Sequence, residues 1–129
     1  MQSIKSYTDL EQSKKLAEIL SLESADMNWH ELPSTGYFVR AFPYKHDNWA
    51  TEGIFPCWSL ASLLEQLPYE VVDDEGGSMY LSMNKDDDMY QLIYYDRYED
   101  YDSIETDSYE NFVDACYEMI LKLNELNLL

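Results

Sequence analysis

Between Asp86 and Asp114 eleven residues are Asp or Glu and the only base is Arg97. Whatever this chain folds into must keep those carboxylates at solvent while it buries apolar side chains. The charge is lopsided along the whole sequence: residues 65–129 carry eighteen acids against Lys85, Arg97 and Lys122, a net −15 of the chain's −18, and the first 64 residues contribute −3. Hydrophobic residues are nonetheless 46% of the chain and aromatics 15%, enough apolar area to offset an ordering entropy that an acidic disordered tail cannot recover. At 129 residues the expectation is one domain, 1–129, with a single core. Self-repulsion weakens its compact state at low ionic strength and opposes direct binding to phosphate backbones or anionic membranes.

Met1 to Leu20 mixes Lys5, Asp9, Glu11, Lys14, Lys15 and Glu18 into its apolar residues and has no signal-peptide core. No window approaches the roughly 18 apolar residues of a membrane helix, so a cytoplasmic location is expected. Cys57 and Cys116 fall in apolar helical patterns, which predicts buried thiols in a reducing compartment rather than a disulfide.

The pattern of apolar residues predicts three helices. The first spans about Asp9 to Leu20, with Thr8 and Glu11 as a capping box and Leu10, Leu16, Ala17, Ile19 and Leu20 at helical spacing. The second begins with Pro56 in its first turn, stops before Pro68 and carries Trp58, Leu60, Ala61, Leu63, Leu64 and Leu67. The third runs from Asp107 or Ser108 to about Asn127, with Phe112, Cys116, Met119, Ile120, Leu123 and Leu126 as its buried stripe and a docked apolar tail, Leu126 to Leu129. Between the first two, Tyr37 to Phe42 reads as a strand that Met27 to Glu31 can pair with, followed by a loop, Tyr44 to Gly53, carrying Lys45, His46 and Trp49. After the turn Asp73 to Gly77, Met79, Leu81 and Met83 alternate with Tyr80 and Ser82, and Tyr90, Leu92 and Tyr94 with Gln91, Ile93 and Tyr95. Joined by Lys85-Asp86-Asp87-Asp88, these two runs form a hairpin. The fold class that follows is α+β: a mainly antiparallel sheet of about three to four strands with three helices, in the order helix, strands, helix, hairpin, helix.

Catalytic chemistry has little to stand on. There is no Gly-rich phosphate loop, no nucleophile elbow and no histidine pair at helical spacing. His30 and His46 stand at no recognised spacing from Cys57 or Cys116, and Asp86-Asp87-Asp88 lacks the alternation, glycine and final glutamate of a calcium loop, so no metal, no cofactor and no enzyme is expected. Cys57 and an Asp26-centred site are the only catalytic candidates. The sharper pattern is the tyrosine and acid run from Tyr94 to Glu110. Its bland reading is a strand end whose tyrosines half-bury their rings among solvated acids. Its functional reading is an interface in which Tyr95, Asp96, Tyr98, Glu99, Asp100, Tyr101 and Asp102 meet a basic protein partner, aromatic anchors beside carboxylates that steer. The alternative is a nucleic-acid mimic that uses the same acids to inhibit a DNA-binding host protein.

Three stretches carry a resemblance: Glu23-Ser24-Ala25-Asp26-Met27; Pro56-Cys57-Trp58-Ser59-Leu60-Ala61 with Leu63-Leu64-Glu65 and Leu67-Pro68; and Asp114-Ala115-Cys116 with Met119-Ile120, Lys122-Leu123 and Glu125 to Leu129. Together they resemble a group of small uncharacterised proteins of Bacteroides-type gut bacteria, their phages and integrated mobile elements. The likeness leaves roughly 28 to 55 and 70 to 108 as the variable part, and it implies a phage or mobile-element setting without implying an activity. Glu23, Ser24 and Asp26 are polar within a shared stretch, and their expected role is to end the first helix and cap the amides of the next turn.

Overall fold

Among the described residues the strands pair only with antiparallel neighbours, in two separate sheets of three and four strands. With three α-helices among the described residues, the fold is α+β, as the sequence predicts. The computed structural model describes residues 5–32, 36–40, 53–73, 75–96 and 103–129. The chain divides into two compact units, residues 6–66 and residues 67–129 with the first five residues.

In the unit of residues 6–66 the first helix, α1 (Leu10–Leu16), is capped one residue later than the sequence suggests. Asp9, not Thr8, accepts the Gln12 amide at 2.8 Å, and Gln12 Oε1 accepts the Asp9 amide at 3.1 Å. Thr8 is instead fully buried, with Oγ1 2.7 Å from Ser13 Oγ and accepting the Trp58 amide at 3.2 Å. The helix is also shorter than the expected run to Leu20, since a turn and a short 3-10 segment, Leu22–Ser24, take the chain out of it.

The first three strands, β1 (Met27–Leu32), β2 (Gly36–Arg40) and β3 (Ile54–Cys57), lie in the order β2-β1-β3, with Trp29 opposite both Val39 and Phe55. Here the sequence reading of Pro56 and Cys57 as helix is corrected. They end an edge strand, where proline's missing N–H leaves no ladder bond unmade. The second helix, α2 (Leu60–Gln66), starts only after Ser59, whose Oγ accepts the Ser62 amide at 3.2 Å. Gly53 leads into β3 with φ +66°, and a Cβ there would stand 3.0 Å from Glu31 Cβ, so the turn needs glycine. The α1 helix packs on β3 with Lys14 Nζ 4.8 Å from the Phe55 ring centre, and Leu16, Cys57, Trp58 and Leu63 are fully buried. The expected loop with Lys45, His46 and Trp49 lies outside the described residues, apart from Gly53.

In the unit of residues 67–129 four strands, β4 (Glu70–Val72), β5 (Ser78–Asp86), β6 (Met89–Tyr95) and β7 (Ile104–Glu105), lie in that order across the sheet. The predicted hairpin is β5–β6, but Lys85 and Asp86 continue the strand. The turn itself is Asp87-Asp88, with Asp87 at φ +56°, a conformation aspartate tolerates. The period-2 alternation sorts the two faces. Val71, Met79, Leu92 and Tyr94 are buried on the side that faces the third helix, α3 (Phe112–Glu125), which packs on β6.

The α3 helix starts about four residues later than expected. Residues 104–109 stay extended because β6 pairs with them: Thr106 donates to the Leu92 carbonyl at 3.0 Å, and Tyr90 and Tyr109 exchange backbone bonds of 2.7 and 2.9 Å. Asn111 is the cap, accepting the Asp114 amide at 2.8 Å. Asp114, in the first turn, also receives Lys5 Nζ at 2.7 Å. At the other end Asn127 adopts φ +59°, its amide reaches the Asn124 carbonyl at 3.2 Å and the Leu128 amide the Leu123 carbonyl at 2.9 Å, a Schellman ending. That ending turns Leu126 out of the expected stripe: Val113, Ala115, Cys116, Met119, Ile120 and Leu123 are buried, whereas Leu126 is 52% and Leu129 45% exposed. The tail is therefore not docked as predicted. Replacing Leu123 by Ala is expected to lower stability by about 2–5 kcal/mol, and the same change at Leu126 by no more than about 0.5 kcal/mol. Urea denaturation of the two variants checks this, and equal losses would return Leu126 to the stripe.

Candidate interaction surface

Cross-strand register sets which side chains share the face of the four-stranded sheet that points away from α3. Glu70, Tyr80 and Tyr95 form one rung across β4, β5 and β6, and Ser82, Ile93 and Glu105 form another across β5, β6 and β7. Tyr69 adds its ring edge-on to Tyr80, with centroids 5.6 Å apart. Tyr69, Glu70, Val72, Tyr95 and Glu105 are exposed, and Tyr80, Ile93 and Asp96 are half-buried. One rung thus sets Glu70 in line with two tyrosines, the other ends on Glu105, and no Lys or Arg stands in either.

Of the residues the sequence singled out, Tyr95 and Asp96 stand at this face's end of β6, while Tyr98, Glu99, Asp100, Tyr101 and Asp102 lie outside the described residues. One tyrosine of the run, Tyr94, departs from the expected half-burial. Tyr94 is not half-exposed but fully buried, and its hydroxyl donates to the Pro68 carbonyl at 2.6 Å. Burial, and the neighbouring Cys116, push its pKa up. Tyr109 is half-buried, and its hydrogen bond to the Glu118 carboxylate, with some burial, pushes it up to about 12. Glu70, Tyr69 and Tyr80 were missed. The signal was in the alternation itself, since Tyr80 and Ser82 take the opposite parity from buried Met79.

The polar residues of the stretches 23–27 and 56–65 meet one another. Asp26 accepts the Ser59 amide at 2.9 Å through Oδ1 and the Ser59 hydroxyl through Oδ2, while Ser62 Oγ donates to the Ser24 carbonyl at 2.7 Å. Trp58 Nε1 donates to Ser24 Oγ at 2.8 Å, and that hydroxyl donates to the Ser21 carbonyl at 2.6 Å. Capping is therefore what Asp26 does, but at the start of α2, more than thirty residues along the chain, rather than at the next turn. Cys57, beside this cluster, donates its thiol to the Thr8 carbonyl at 3.5 Å, and burial pushes it up to about 11. Cys116 is pushed up to about 12 by burial alone. Both are free thiols, and a thiol held protonated is a poor nucleophile.

A second concave feature lies at the edge of the four-stranded sheet, a cleft of about 370 Å³ lined by Ser103, Ile104, Glu105, Lys122, Glu125 and Leu126. Nothing in the residue pattern marks it beforehand, because Leu126 sits at a core-stripe spacing and Ile104 is a lone apolar residue among acids. Among the described residues no group of three or more Asp, Glu, His or Cys is placed to hold a metal ion, and no helix is long and apolar enough to cross a membrane. Compared with protein-family models, with curated proteins and with solved structures, the chain matches none.

The raised groups link stability to pH. Cys57, Cys116, Tyr94 and Tyr109 all have folded pKa values above their ordinary ones, so folding favours their neutral forms. Their contribution is complete below about pH 9 and is lost as pH rises through about 11 to 12. The urea midpoint is expected to be level between about pH 7 and 8.5 and to fall steadily above that. A thiol reagent at about pH 8 should label neither cysteine in the native protein and both in urea. Rapid native labelling would show that burial does not hold them protonated.

Proposed function

We propose that this chain is a non-enzymatic protein-interaction domain of the cytoplasm, encoded on a phage or mobile element, that binds a basic protein partner through the aromatic and acidic face of its four-stranded sheet. The observation that supports this reading most is the rung Glu70-Tyr80-Tyr95, exposed tyrosine in line with an exposed carboxylate and no cation in the rung. Tyrosine offers large contact area at small entropic cost, and fixed carboxylates steer and orient a cationic partner. The −15 carried by residues 65–129 extends that steering field beyond the face itself. The resemblance to proteins of Bacteroides-type bacteria and their mobile elements supports the setting.

The test is capture from a Bacteroides-type lysate on immobilised wild-type protein and on the variants Tyr95→Ala, Glu70→Lys and Asp96→Lys, with Asp88→Lys at the hairpin tip as a control for bulk charge. The expected result is a defined set of proteins whose retention falls about tenfold in the first three variants and persists in the control and in competing duplex DNA. Equal losses in all four would reduce the attraction to net charge. Release by duplex DNA would instead favour a nucleic-acid mimic.

A further inference from the structure

Among the described residues the four-stranded sheet ends at β7, and no described strand pairs with its outer edge. Thr106 donates its amide to Leu92 across the ladder at 3.0 Å, and Ile104 pairs with Tyr94. In an antiparallel ladder successive residues point their backbone groups to opposite sides, so the amide and carbonyl of Glu105 turn away from β6 to the open edge. Beside that edge lies the 370 Å³ cleft, a volume within the roughly 300–1,000 Å³ range of ligand-holding sites. Two apolar side chains line it: Ile104, half-buried, and Leu126, 52% exposed by the Schellman ending of α3. Its charges are unbalanced, because Glu105 and Glu125 face a single cation, Lys122, whose ammonium is 3.8 Å from Glu118 on the preceding turn of α3.

We infer that this cleft takes an extended segment of a basic partner, added to the sheet as a fifth strand along β7, with an apolar side chain over Ile104 and Leu126 and lysine or arginine beside Glu105 and Glu125. The inference rests on the reading of the chain as a binder of basic proteins and names where and in what conformation part of that partner sits. Strand addition supplies affinity through main-chain hydrogen bonds and selectivity through alternate side chains. A β7 of only two residues is an edge kept short, which limits indiscriminate pairing, and the flanking carboxylates restrict the added strand to a cationic one.

Amide and methyl NMR titration of the full chain with a blocked peptide of about eight alternating Lys and Val residues tests this, with a second peptide in which proline replaces alternate residues. The expected result is shifts at the Ser103, Ile104 and Glu105 amides and the Leu126 methyls, with about tenfold weaker binding, about 1.4 kcal/mol, of the proline peptide and of the Leu126→Gln and Glu125→Gln variants. Shifts confined to Glu70, Tyr80, Tyr95 and Asp96, with both peptides binding alike, would overturn the cleft inference and leave the sheet-face reading standing. Shifts at neither place would overturn both.

Discussion

A strand can bury only every second side chain on one face, and in the acid-rich half of this chain that constraint decides which residues make the core. Leu92 and Tyr94 go in against α3, while Ile93 and Tyr95, their sequence neighbours, stay on the other side with Ser82 and Tyr80. Carboxylates reach water because they are placed at turns, at strand ends or on the outer face, as Asp87, Asp96, Glu70 and Glu105 are. The strand register thus accounts for where these carboxylates stand. A surface of carboxylates and tyrosines is what remains when the same alternation has supplied the core.

The unit of residues 6–66 solves a different problem, how to hold a tryptophan indole and the start of a helix inside a small structure without leaving polar groups unmade. Trp58 is approached from two directions. Thr8 donates its amide to the Trp58 carbonyl and accepts the Trp58 amide on its hydroxyl, and Ser24 takes the indole N–H. Asp26 then fixes Ser59, whose hydroxyl caps α2. A buried polar atom left unsatisfied costs more than a made bond returns, which is why short polar residues gather around Trp58 rather than apolar ones. The stretches 23–27 and 56–65, far apart in sequence, thus form one structural element.

Helical periodicity made all three helices legible in the sequence, period-2 alternation did the same for the β5–β6 hairpin, and turn chemistry marked Asp73 to Gly77. The boundaries were less legible, for physical reasons visible at particular residues. Thr8 looks like a cap but is drawn inward by Ser13 and Trp58. Pro56 looks like a helix start but suits an edge strand equally well, since both places spare its missing N–H. Residues 107–109 read as the first turn of α3 until β6 is there to pair with Tyr109, and only tertiary context supplies that partner. Leu126 keeps the period of the stripe, but Asn127 in the left-handed region ends the helix beneath it. Of the candidate site, the acids and Tyr95 were readable as composition. The rung they form with Glu70 and Tyr80 was not, because β4 is three residues long and its register is set by the Asp73 turn, whose side chain accepts the Glu75 and Gly77 amides.

That turn also explains why the face holds its shape. Asp73 Oδ1 takes the Glu75 and Gly77 amides at 2.9 and 2.7 Å, and a Cβ on Gly77 would stand 2.8 Å from Asp73 Oδ2. The β4–β5 ladder places Glu70 beside Tyr80, and Tyr69 stands against its ring. Groups held this way lose less freedom on meeting a partner, and the affinity of a small interface depends more on such preorganisation than on its area. The cleft at the opposite edge is framed in the same manner, by β7 paired to β6 on one side and by the hydrogen-bonded ending of α3 on the other. Its carboxylates and its two-residue edge strand are what the proposed extended cationic segment would meet.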